Sequence, residues 1–408
     1  MRVLILTDAL FALHERSLIS RLEMGLAAEG DRVARAIPAR VASRFDAELF
    51  AQAVTYEDSG LPWTVRARAR RLLATLRRAD ELLDARRGLS DSGLGASEPD
   101  VVHVFGGGAW DLGAAVAEQA GAGLVLEVWR AGLAGRAVRS NPREGAAVPT
   151  VLVAPDPHLE RLVSLGLGGG SDSDSRGGPR APRVRVAPWG VHAAPEPRAI
   201  FREGRSIGVM VVGSGREAGL YQSLVRGLAT VARQRDDVMI FMDANACERA
   251  GLWSEIRRLG LVPRVSLIED LEGRRDLVLA GDVLVVPEGG GEQRSVVLDA
   301  MGAGVAVVAA EDPLNAALQD GLTCVCVAPE VSAPGGWSGP RLTGAPWARA
   351  VGELIVAPER AREIARGGWR YVREQRRASD HIRAVTEVYQ SLAPAVEAGR
   401  AARASAMV

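Results

Sequence analysis

A glycine-rich segment in the second half of the chain carries the clearest chemistry in this sequence. It runs from Pro287 to Ser295, follows an apolar run and leads into a helical pattern. The start of a helix offers free backbone N–H groups and a positive dipole end, which together bind phosphate. Arg294 can add a bidentate cation, and Asp299, further along the helix, can accept hydrogen bonds from ribose hydroxyls. The alternative is an ordinary strand–helix crossover in which glycine only allows tight packing.

A second glycine loop, Gly213-Ser214-Gly215, comes earlier in the same half and is followed by Arg216. It lies where a predicted strand ends, so its backbone N–H groups are also available to an anion. All fifty basic residues are Arg and the chain has no Lys, which excludes lysine-dependent chemistry. A bound diphosphate would therefore be held by Arg216, Arg294 and backbone amides. The alternative is that both arginines form surface salt bridges.

In the first half, polar and aromatic residues follow strands where α/β proteins bind ligands. His103 lies in an apolar run that leads to Gly106, and Trp129 and Arg130 follow another apolar run. An aromatic face suits a sugar ring, and a histidine can contact a hydroxyl. The alternatives are a structural histidine with satisfied hydrogen bonds and a packed tryptophan.

The elements that must position these residues alternate between short strands and longer helices. The apolar runs are continuous, which is typical of parallel strands covered on both faces, and the alternation predicts a doubly wound α/β fold. The pattern restarts after a Pro-rich join at residues 192–205, so two Rossmann-like halves are expected. The predicted strands are Arg2–Thr7, Val101–Phe105, Gly123–Val128, Thr150–Val153, Ser206–Val212, Val238–Asp243, Val265–Ile268, Val283–Val286 and Val305–Ala309.

Three segments lie outside this scheme. Residues 166–183 are rich in Gly, Ser, Asp and Arg and are predicted to be a flexible insertion, with Asp172 and Asp174 solvated rather than metal-binding. Residues 395–408 are predicted to fray. Residues 64–87 form an amphipathic helix with eight arginines, which either contacts an anionic membrane surface or packs on the first domain.

Composition excludes several classes of protein. Fifty basic residues balance fifty acidic ones, which gives no case for a nucleic-acid-binding protein. The cysteines Cys247, Cys324 and Cys326 make neither a disulfide framework nor a zinc site, and are expected to be free thiols of a reducing compartment. The N-terminal apolar run of about five residues is shorter than a signal core. A cytoplasmic protein is expected.

Five stretches in order along the chain resemble the retaining, nucleotide-sugar-dependent glycosyltransferases of family 4, which have the GT-B fold. They are the opening Arg2–Thr7 with Gly30–Val33, Pro99–His103, Arg183–His192, the nucleotide-site core Gly281–Pro287 with Val297–Gly304, and Asp320–Thr323. The resemblance implies an acceptor-side Rossmann-like domain over residues 1–192 and a nucleotide-sugar domain over residues 205–375, facing a cleft. It also implies that a helix over residues 376–392 crosses back to the first domain.

The sequence departs from the family at positions that matter for catalysis. The family places two glutamates eight residues apart; here the second is Asp299, and the first position is Gly291. Glu292 and Glu288 are nearby and are the candidate catalytic carboxylates. The family's Arg and Lys for the diphosphate correspond to Ser214 and Ala218, with Arg216 between them as the replacement. The family's catalytic histidine corresponds to Trp129.

The resemblance implies transfer of a hexose, with retention, from a nucleoside diphosphate sugar to a hydroxyl acceptor that is a glycan or is lipid-linked. No metal and no further cofactor are implied, and the protein could lie at the inner membrane surface. The alternatives are a catalytically weakened nucleotide-sugar-binding or scaffold protein and a sugar-nucleotide epimerase. The donor residues are expected to be Gly213, Gly215, Arg216, Arg294, Ser295 and Asp299, and the acceptor residues His103, Gly106, Trp129 and Arg130.

Overall fold

A computed structural model of the chain describes residues 1–45, 52–58, 60–86, 98–139, 148–167, 183–330 and 342–406. The chain divides into two compact units. The first combines Met1–Trp189 with Ala378–Val408, and the second is Gly190–Arg377. Each unit is built around its own parallel sheet with helices.

The first unit contains a seven-stranded sheet in the order β3-β2-β1-β4-β5-β6-β7, with every pair of neighbouring strands parallel. Its strands are β1 (Arg2–Thr7), β2 (Arg32–Pro38), β3 (Gln52–Tyr56), β4 (Val101–Phe105), β5 (Gly123–Glu127), β6 (Thr150–Ala154) and β7 (Arg183–Val186). The order grows outward in both directions from β1 and β4, which confirms the predicted doubly wound arrangement.

The described part of the chain before the second unit contains seven α-helices. They are α1 (Ala9–His14), α2 (Arg16–Ala28), α3 (Ala39–Ala42), α4 (Val65–Arg86), α5 (Trp110–Ala120), α6 (Ala131–Arg139) and α7 (Pro157–Gly166). Helix α4 is the predicted amphipathic helix. Its apolar side chains Ala69, Leu72, Leu73 and Leu76 are buried, and the helix packs on α5 and β3. The apolar face is therefore part of the core of the first unit and is not free to insert into a membrane.

The second unit contains a six-stranded parallel sheet in the order β10-β9-β8-β11-β12-β13. Its strands are β8 (Ile207–Val211), β9 (Val238–Asp243), β10 (Val265–Ile268), β11 (Val283–Val286), β12 (Ala306–Ala310) and β13 (Val325–Val327). Its helices are α8 (Ala218–Gln234), α9 (Ala244–Arg249), α10 (Trp253–Arg258), α11 (Arg275–Ala280), α12 (Ser295–Ala303), α13 (Ala345–Val356) and α14 (Pro358–Gln375). The central strands are apolar on both faces because helices cover both sides.

The last helix, α15 (Ala378–Ala406), packs on the first unit, against α2 and β5. It buries Val385, Tyr389 and Leu392. The helix continues through most of the segment predicted to fray. Alanine and arginine are strong helix formers, and Arg400 pairs with Asp100 at 2.7 Å, so the last turns have both propensity and a contact.

Most of the predicted insertion lies outside the described residues, including Asp172 and Asp174. In the part of the chain that the structure describes, none of the helices has the length and apolar character needed to cross a bilayer.

Candidate functional site

The two predicted donor loops meet at the topological switch point of the second sheet. Strands β8 and β11 are neighbours, and the chain proceeds from β8 toward one edge of the sheet and from β11 toward the other. The loop after β8 holds Gly213–Arg216, and the loop after β11 holds Pro287–Arg294. Ligands of open α/β sheets bind in the crevice at such a point, outside the carboxyl ends of the strands.

Glu288 joins the two loops. Its carboxylate accepts hydrogen bonds from the backbone N–H groups of Ser214, Arg216 (2.8 Å) and Glu217 (3.2 Å), and from the Ser214 hydroxyl (3.0 Å). These amides lie just before α8 and are the groups that the sequence predicts for phosphate. They hold an internal carboxylate instead, so a diphosphate must displace or share Glu288 to reach them.

Gly213 and Gly215 shape this loop rather than offer a ligand surface of their own. Gly215 has φ +72°, and a Cβ there would lie 2.4 Å from the carbonyl oxygen of Ala246. A Cβ at Gly213 would lie 2.2 Å from the Tyr221 hydroxyl. Both positions require glycine because backbone and side chain pack directly against them.

Arg294 is buried among carboxylates. Its guanidinium lies 2.5 Å from Glu272, 2.9 Å from Glu292 and 3.9 Å from Glu288, and its side chain is only 4% exposed. Burial alone would lower the pKa of Arg294, but the three carboxylates raise it above its ordinary value. Contrary to the expectation for a donor cation, the charge of Arg294 is already matched inside the protein.

Arg216 is the exposed member of the predicted pair. Its side chain is 44% exposed, and Nη1 lies 3.8 Å from Oε2 of Glu292, whose Oε1 accepts from Arg294 at 2.9 Å. Both guanidinium groups therefore lie near the same carboxylate, that of Glu292. Of the two candidate catalytic carboxylates, Glu292 is the more exposed, at 14% against 5% for Glu288.

Ser295 and Asp299 are held by a residue that sequence reasoning missed. Arg275, at the start of α11, donates from Nε to Asp299 (3.0 Å) and from Nη2 to the Ser295 hydroxyl (2.9 Å). Ser295 is fully buried and Asp299 is 8% exposed, so neither presents an open polar surface, contrary to expectation. The available signal was the polar turn Glu272-Gly-Arg-Arg275 before a short helix. Glu272, which pairs with Arg294, belongs to the same turn.

The first unit repeats the carboxylate-capped loop at its own switch point, between β1 and β4. Asp8, directly after β1, accepts from the backbone N–H groups of Phe11 (2.9 Å) and Gly108 (3.0 Å). Gly106 has φ +92°, and a Cβ there would lie within 2.4 Å of the Asp8 carboxylate. Gly106 thus makes room for the Asp8 carboxylate. Gly106 is predicted to contact an acceptor, but here it lies against Asp8 of the protein itself.

His103 is fully buried, which contradicts its predicted contact with an acceptor. Nδ1 lies 2.8 Å from the Tyr389 hydroxyl of α15, and Nε2 lies 3.3 Å from Glu127. Glu127 also accepts from the indole N–H of Trp189 at 2.7 Å. Burial lowers the pKa of His103 to about 3. Burial also raises the pKa of Glu127 to about 8, although the hydrogen bond from Trp189 acts in the opposite direction. The cluster is a neutral, internal network of polar groups.

Trp129 is only 4% exposed and packs edge-on against Phe11, with ring centroids 5.6 Å apart. The guanidinium carbon of Arg130 lies 5.2 Å from the Trp129 ring centroid. This ring therefore offers no open face for a sugar, contrary to expectation. Arg130 is half-buried and is therefore more accessible than Trp129.

A cavity of about 220 Å³ adjoins the loop after β11. Its lining includes Gly289, Gly290, Glu311 and Trp347, from loops at the carboxyl edge of the sheet and the start of α13. Among the described residues, no group of three or more His, Cys, Asp or Glu side chains is placed to hold a metal ion.

Comparison with known proteins identifies the fold. No family model matches the chain, and no curated protein matches its sequence. Solved structures do match. HepE of Anabaena in complex with UDP-glucose has a TM-score of 0.64 at 14% identity, over 96% of this chain and 100% of that chain. Sucrose-phosphate synthase of Thermosynechococcus elongatus has a TM-score of 0.63 at 14% identity, over 96% and 99%. A glycosyltransferase of Rickettsia africae has a TM-score of 0.60 at 13% identity, over 96% and 98%. The chain has the GT-B fold of glycosyltransferases.

Proposed function

We propose that this protein is a glycosyltransferase that moves a hexose from a nucleoside diphosphate sugar to a hydroxyl acceptor with retention. The observation that supports this most is that two polar glycine loops meet at the switch point of the second sheet. The fold is similar to that of a protein solved in complex with UDP-glucose. Retention and the hexose rest on the resemblance to family 4. No metal or cofactor beyond the sugar nucleotide is part of the proposal.

In this proposal the second unit binds the donor. Arg216, the exposed guanidinium beside Glu292, contacts the diphosphate, and the amides around Ser214 add donors when Glu288 gives them up. Asp299, held by Arg275, accepts from the ribose hydroxyls after a small shift that exposes it. Glu292 is the proposed catalytic carboxylate, since it is the more exposed of the two glutamates and faces Arg216.

The first unit is proposed to bind the acceptor, a glycan or a lipid-linked hydroxyl compound. The loop after β4 presents Gly108, which is exposed, and the loop after the neighbouring β5 presents the half-buried Arg130. Peripheral membrane contact belongs to the same proposal. Two exposed apolar side chains, Trp63 (75%) and Leu61 (54%), lie just before α4 and its arginine-rich face. Exposed aromatic and basic groups together suit an anionic lipid surface. Sedimentation with anionic vesicles tests this contact, and Trp63→Ala is expected to weaken it.

The test of the proposed reaction is release of nucleoside diphosphate from UDP-, GDP- and ADP-sugars, with and without a panel of hydroxyl acceptors. One donor is expected to be consumed only when an acceptor is present, and NMR of the product is expected to show the anomeric configuration of the donor. Arg216→Ala should slow the reaction at least about tenfold, since charged donors at a developing phosphate charge contribute several kcal/mol. Arg233→Ala, an exposed arginine of α8, is the matched control and should leave the rate unchanged.

The alternative functions give different results in the same assay. An epimerase interconverts sugar nucleotides without an acceptor and releases no diphosphate. A nucleotide-sugar-binding or scaffold protein binds UDP or another diphosphate by calorimetry but consumes no donor. A product with inverted anomeric configuration would support a transferase but would reject the proposed retention.

A further inference from the structure

Two cysteines at the edge of the second sheet lie in contact. Cys324 and Cys326 flank Val325 where β13 begins, and side chains two residues apart in a strand leave the same face. Their Sγ atoms are 3.5 Å apart. Cys324 is fully buried and Cys326 is half-buried. One accessible thiol therefore lies directly against one protected thiol.

The accessible thiol can be reached from solvent. Among the described strands, β13 pairs with β12 alone and forms the edge of the sheet. Cys326 lines an open cavity of about 490 Å³, together with Arg349 and Glu353 of α13. This volume is in the range of pockets that hold small ligands, and it places Cys326 at a surface that a small reagent can approach.

The contact also differentiates the two thiols. The hydrogen bond from Cys324 lowers the pKa of Cys326, against the opposing effects of burial and the acidic groups Asp320, Glu311 and Asp312. The same bond, with burial, raises the pKa of Cys324. Because the thiolate is the nucleophile in disulfide exchange, Cys326 is the group that attacks first.

We propose that Cys324 and Cys326 form a redox-active dithiol that closes to an intramolecular disulfide by exchange with a small disulfide such as oxidised glutathione. The Cys326 thiolate attacks one sulfur of glutathione disulfide and forms a mixed disulfide, and one glutathione leaves as its thiol after protonation. Cys324 gives up its proton and attacks the Cys326 sulfur, and the second glutathione leaves. The protein dithiol loses two electrons and two protons, and the glutathione disulfide gains them.

The backbone geometry allows this bond. Two residues of extended strand separate the Cα atoms by about 6.4–6.8 Å. Disulfides span about 4.4–6.8 Å between Cα atoms and about 3.5–4.5 Å between Cβ atoms, so closure needs a bend of the edge strand that turns the two Cβ atoms toward each other. Ladder bonds from β12 hold β13 on one side. On the other side, the Cys326 N–H donates to Asp320 (2.8 Å) and the Cys324 carbonyl accepts from Gly321 (2.9 Å), so the bend moves this turn together with the two cysteines.

The test uses the full-length Cys247→Ser protein, which keeps only the two cysteines of the pair. Treatment with oxidised glutathione is expected to remove both free thiols and lower the mass by two hydrogens, with a peptide map that links Cys324 to Cys326. Dithiothreitol should restore both. A disulfide between two copies of the chain, a stable glutathione adduct as the end product, or no reaction would each overturn the proposal.

Single variants in the same background separate the two roles. Cys324→Ser should stop at the mixed disulfide with glutathione on Cys326. Cys326→Ser should react at least about tenfold more slowly, because the remaining thiol is buried. The rate of the parent should rise with pH through a midpoint below that of Cys324→Ala, since alanine has no group that donates a hydrogen bond to Cys326. Equal rates and equal midpoints in both variants would reject the assigned roles. The outcome is independent of sugar transfer, since no donor or acceptor is used.

Discussion

At the scale of single residues, Glu288 decides how open the donor loop is. Its carboxylate satisfies the amides of Arg216 and Glu217 and the Ser214 hydroxyl within the protein. Glu288→Ala should destabilise the protein by about 1–3 kcal/mol, because several buried donors lose their acceptor. It should also strengthen UDP binding relative to uridine, because the freed amides suit phosphate. Urea unfolding and calorimetry measure the two effects.

Glu288→Gln is the matched control for that variant. The side chain keeps its size and one acceptor oxygen, so stability should fall less than in Glu288→Ala. UDP and uridine affinities that change by the same factor in both variants would show that the loop amides do not contact phosphate.

Asp299 is expected to behave first as half of a buried ion pair. Arg275 and Asp299 are 11% and 8% exposed and lie 3.0 Å apart. Asp299→Ala should cost about 3–5 kcal/mol of stability, because it removes a carboxylate that compensates the buried charge of Arg275. Arg275→Met in the same chain should restore part of the loss. The unfolding free energies of the two single variants and the double variant give the coupling.

An exposed pair provides the comparison for the Arg275–Asp299 cycle. Arg360 and Glu363 lie 3.2 Å apart with side chains 50% and 59% exposed. Removing that pair should change stability by less than about 1 kcal/mol, since solvent screens it. A similar small value for Arg275 and Asp299 would contradict the role of burial.

At the scale of elements, the contact between β4, β5 and α15 should make stability depend on pH. His103, with a pKa of about 3 when folded and 6.5 ordinarily, adds stability as pH rises from 3 to 6.5. Glu127, with a pKa of about 8 against 4.5 ordinarily, removes stability as pH rises from 4.5 to 8. Each contributes a slope of up to about 1.4 kcal/mol per pH unit. The two effects oppose one another between pH 4.5 and 6.5. Above pH 6.5 the contribution of His103 is complete while that of Glu127 continues, so stability should decline from pH 6.5 to 8.

Glu127→Gln should flatten this decline while it keeps the bond from Trp189. Burial raises the pKa of Glu23 to about 7, against the charge of Arg35. Glu23 therefore also lowers stability as the pH rises to about 7, and it does so in the Glu127→Gln variant as well. Glu196→Gln, at an exposed glutamate of the second unit, should leave the profile unchanged. Denaturant unfolding at several pH values decides the matter, and a parent profile that rises from pH 6.5 to 8 would contradict the assignment.

The contact of α15 with α2 should also respond to a single methyl group. A Cβ at Gly25 of α2 would lie 2.2 Å from Cδ1 of Ile382. Gly25→Ala should therefore destabilise the protein by about 1–3 kcal/mol through overpacking. Gly399→Ala, in α15 with nothing within 4 Å, should instead stabilise it by about 0.5–1 kcal/mol through helix propensity.

Thermal unfolding of both glycine variants distinguishes packing from propensity. Ile382→Ala combined with Gly25→Ala should recover part of the loss, because the smaller side chain leaves room for the new methyl group. Equal effects of the two glycine substitutions would show that α15 does not pack closely on α2.

At the scale of the whole molecule, the chain enters and leaves the second unit at adjacent points. Val191 pairs with Arg377, and the backbone N–H of Val191 donates to the carbonyl of Arg376 at 2.8 Å. A fragment of residues 190–377 should therefore fold alone. A fragment of residues 1–189 should not, because it lacks α15 and exposes the apolar surface around Gly123 that Leu392 and Val396 cover. Circular dichroism and amide exchange of both fragments check this, and a folded 1–189 fragment would contradict it.

The sequence alone determined the fold class and nine of the thirteen described strands, whereas β2, β3, β7 and β13 are not among the predicted strands. Runs such as Val101–Phe105, Val238–Asp243 and Val283–Val286 were located to the residue, because burial on both faces of a parallel sheet leaves a continuous apolar signal. It also identified the two loops after β8 and β11, since glycine at a strand end is a local feature. The helix bounds were predicted less accurately than the strand bounds, because the ends of a helix depend on capping and contacts.

Only the tertiary structure decided what the side chains at those loops contact. Glu272, which contacts Arg294, and Arg275, which contacts Asp299, lie in the polar turn that leads into α11, more than twenty residues earlier. His103 meets Tyr389, which is 286 residues later in the chain. A residue's type and its neighbours in sequence fix its chemistry, but the charge nearest to it in space is set by the packing of distant elements. For that reason, residues that the pattern assigns to a ligand are held here by carboxylates and guanidinium groups of the protein itself.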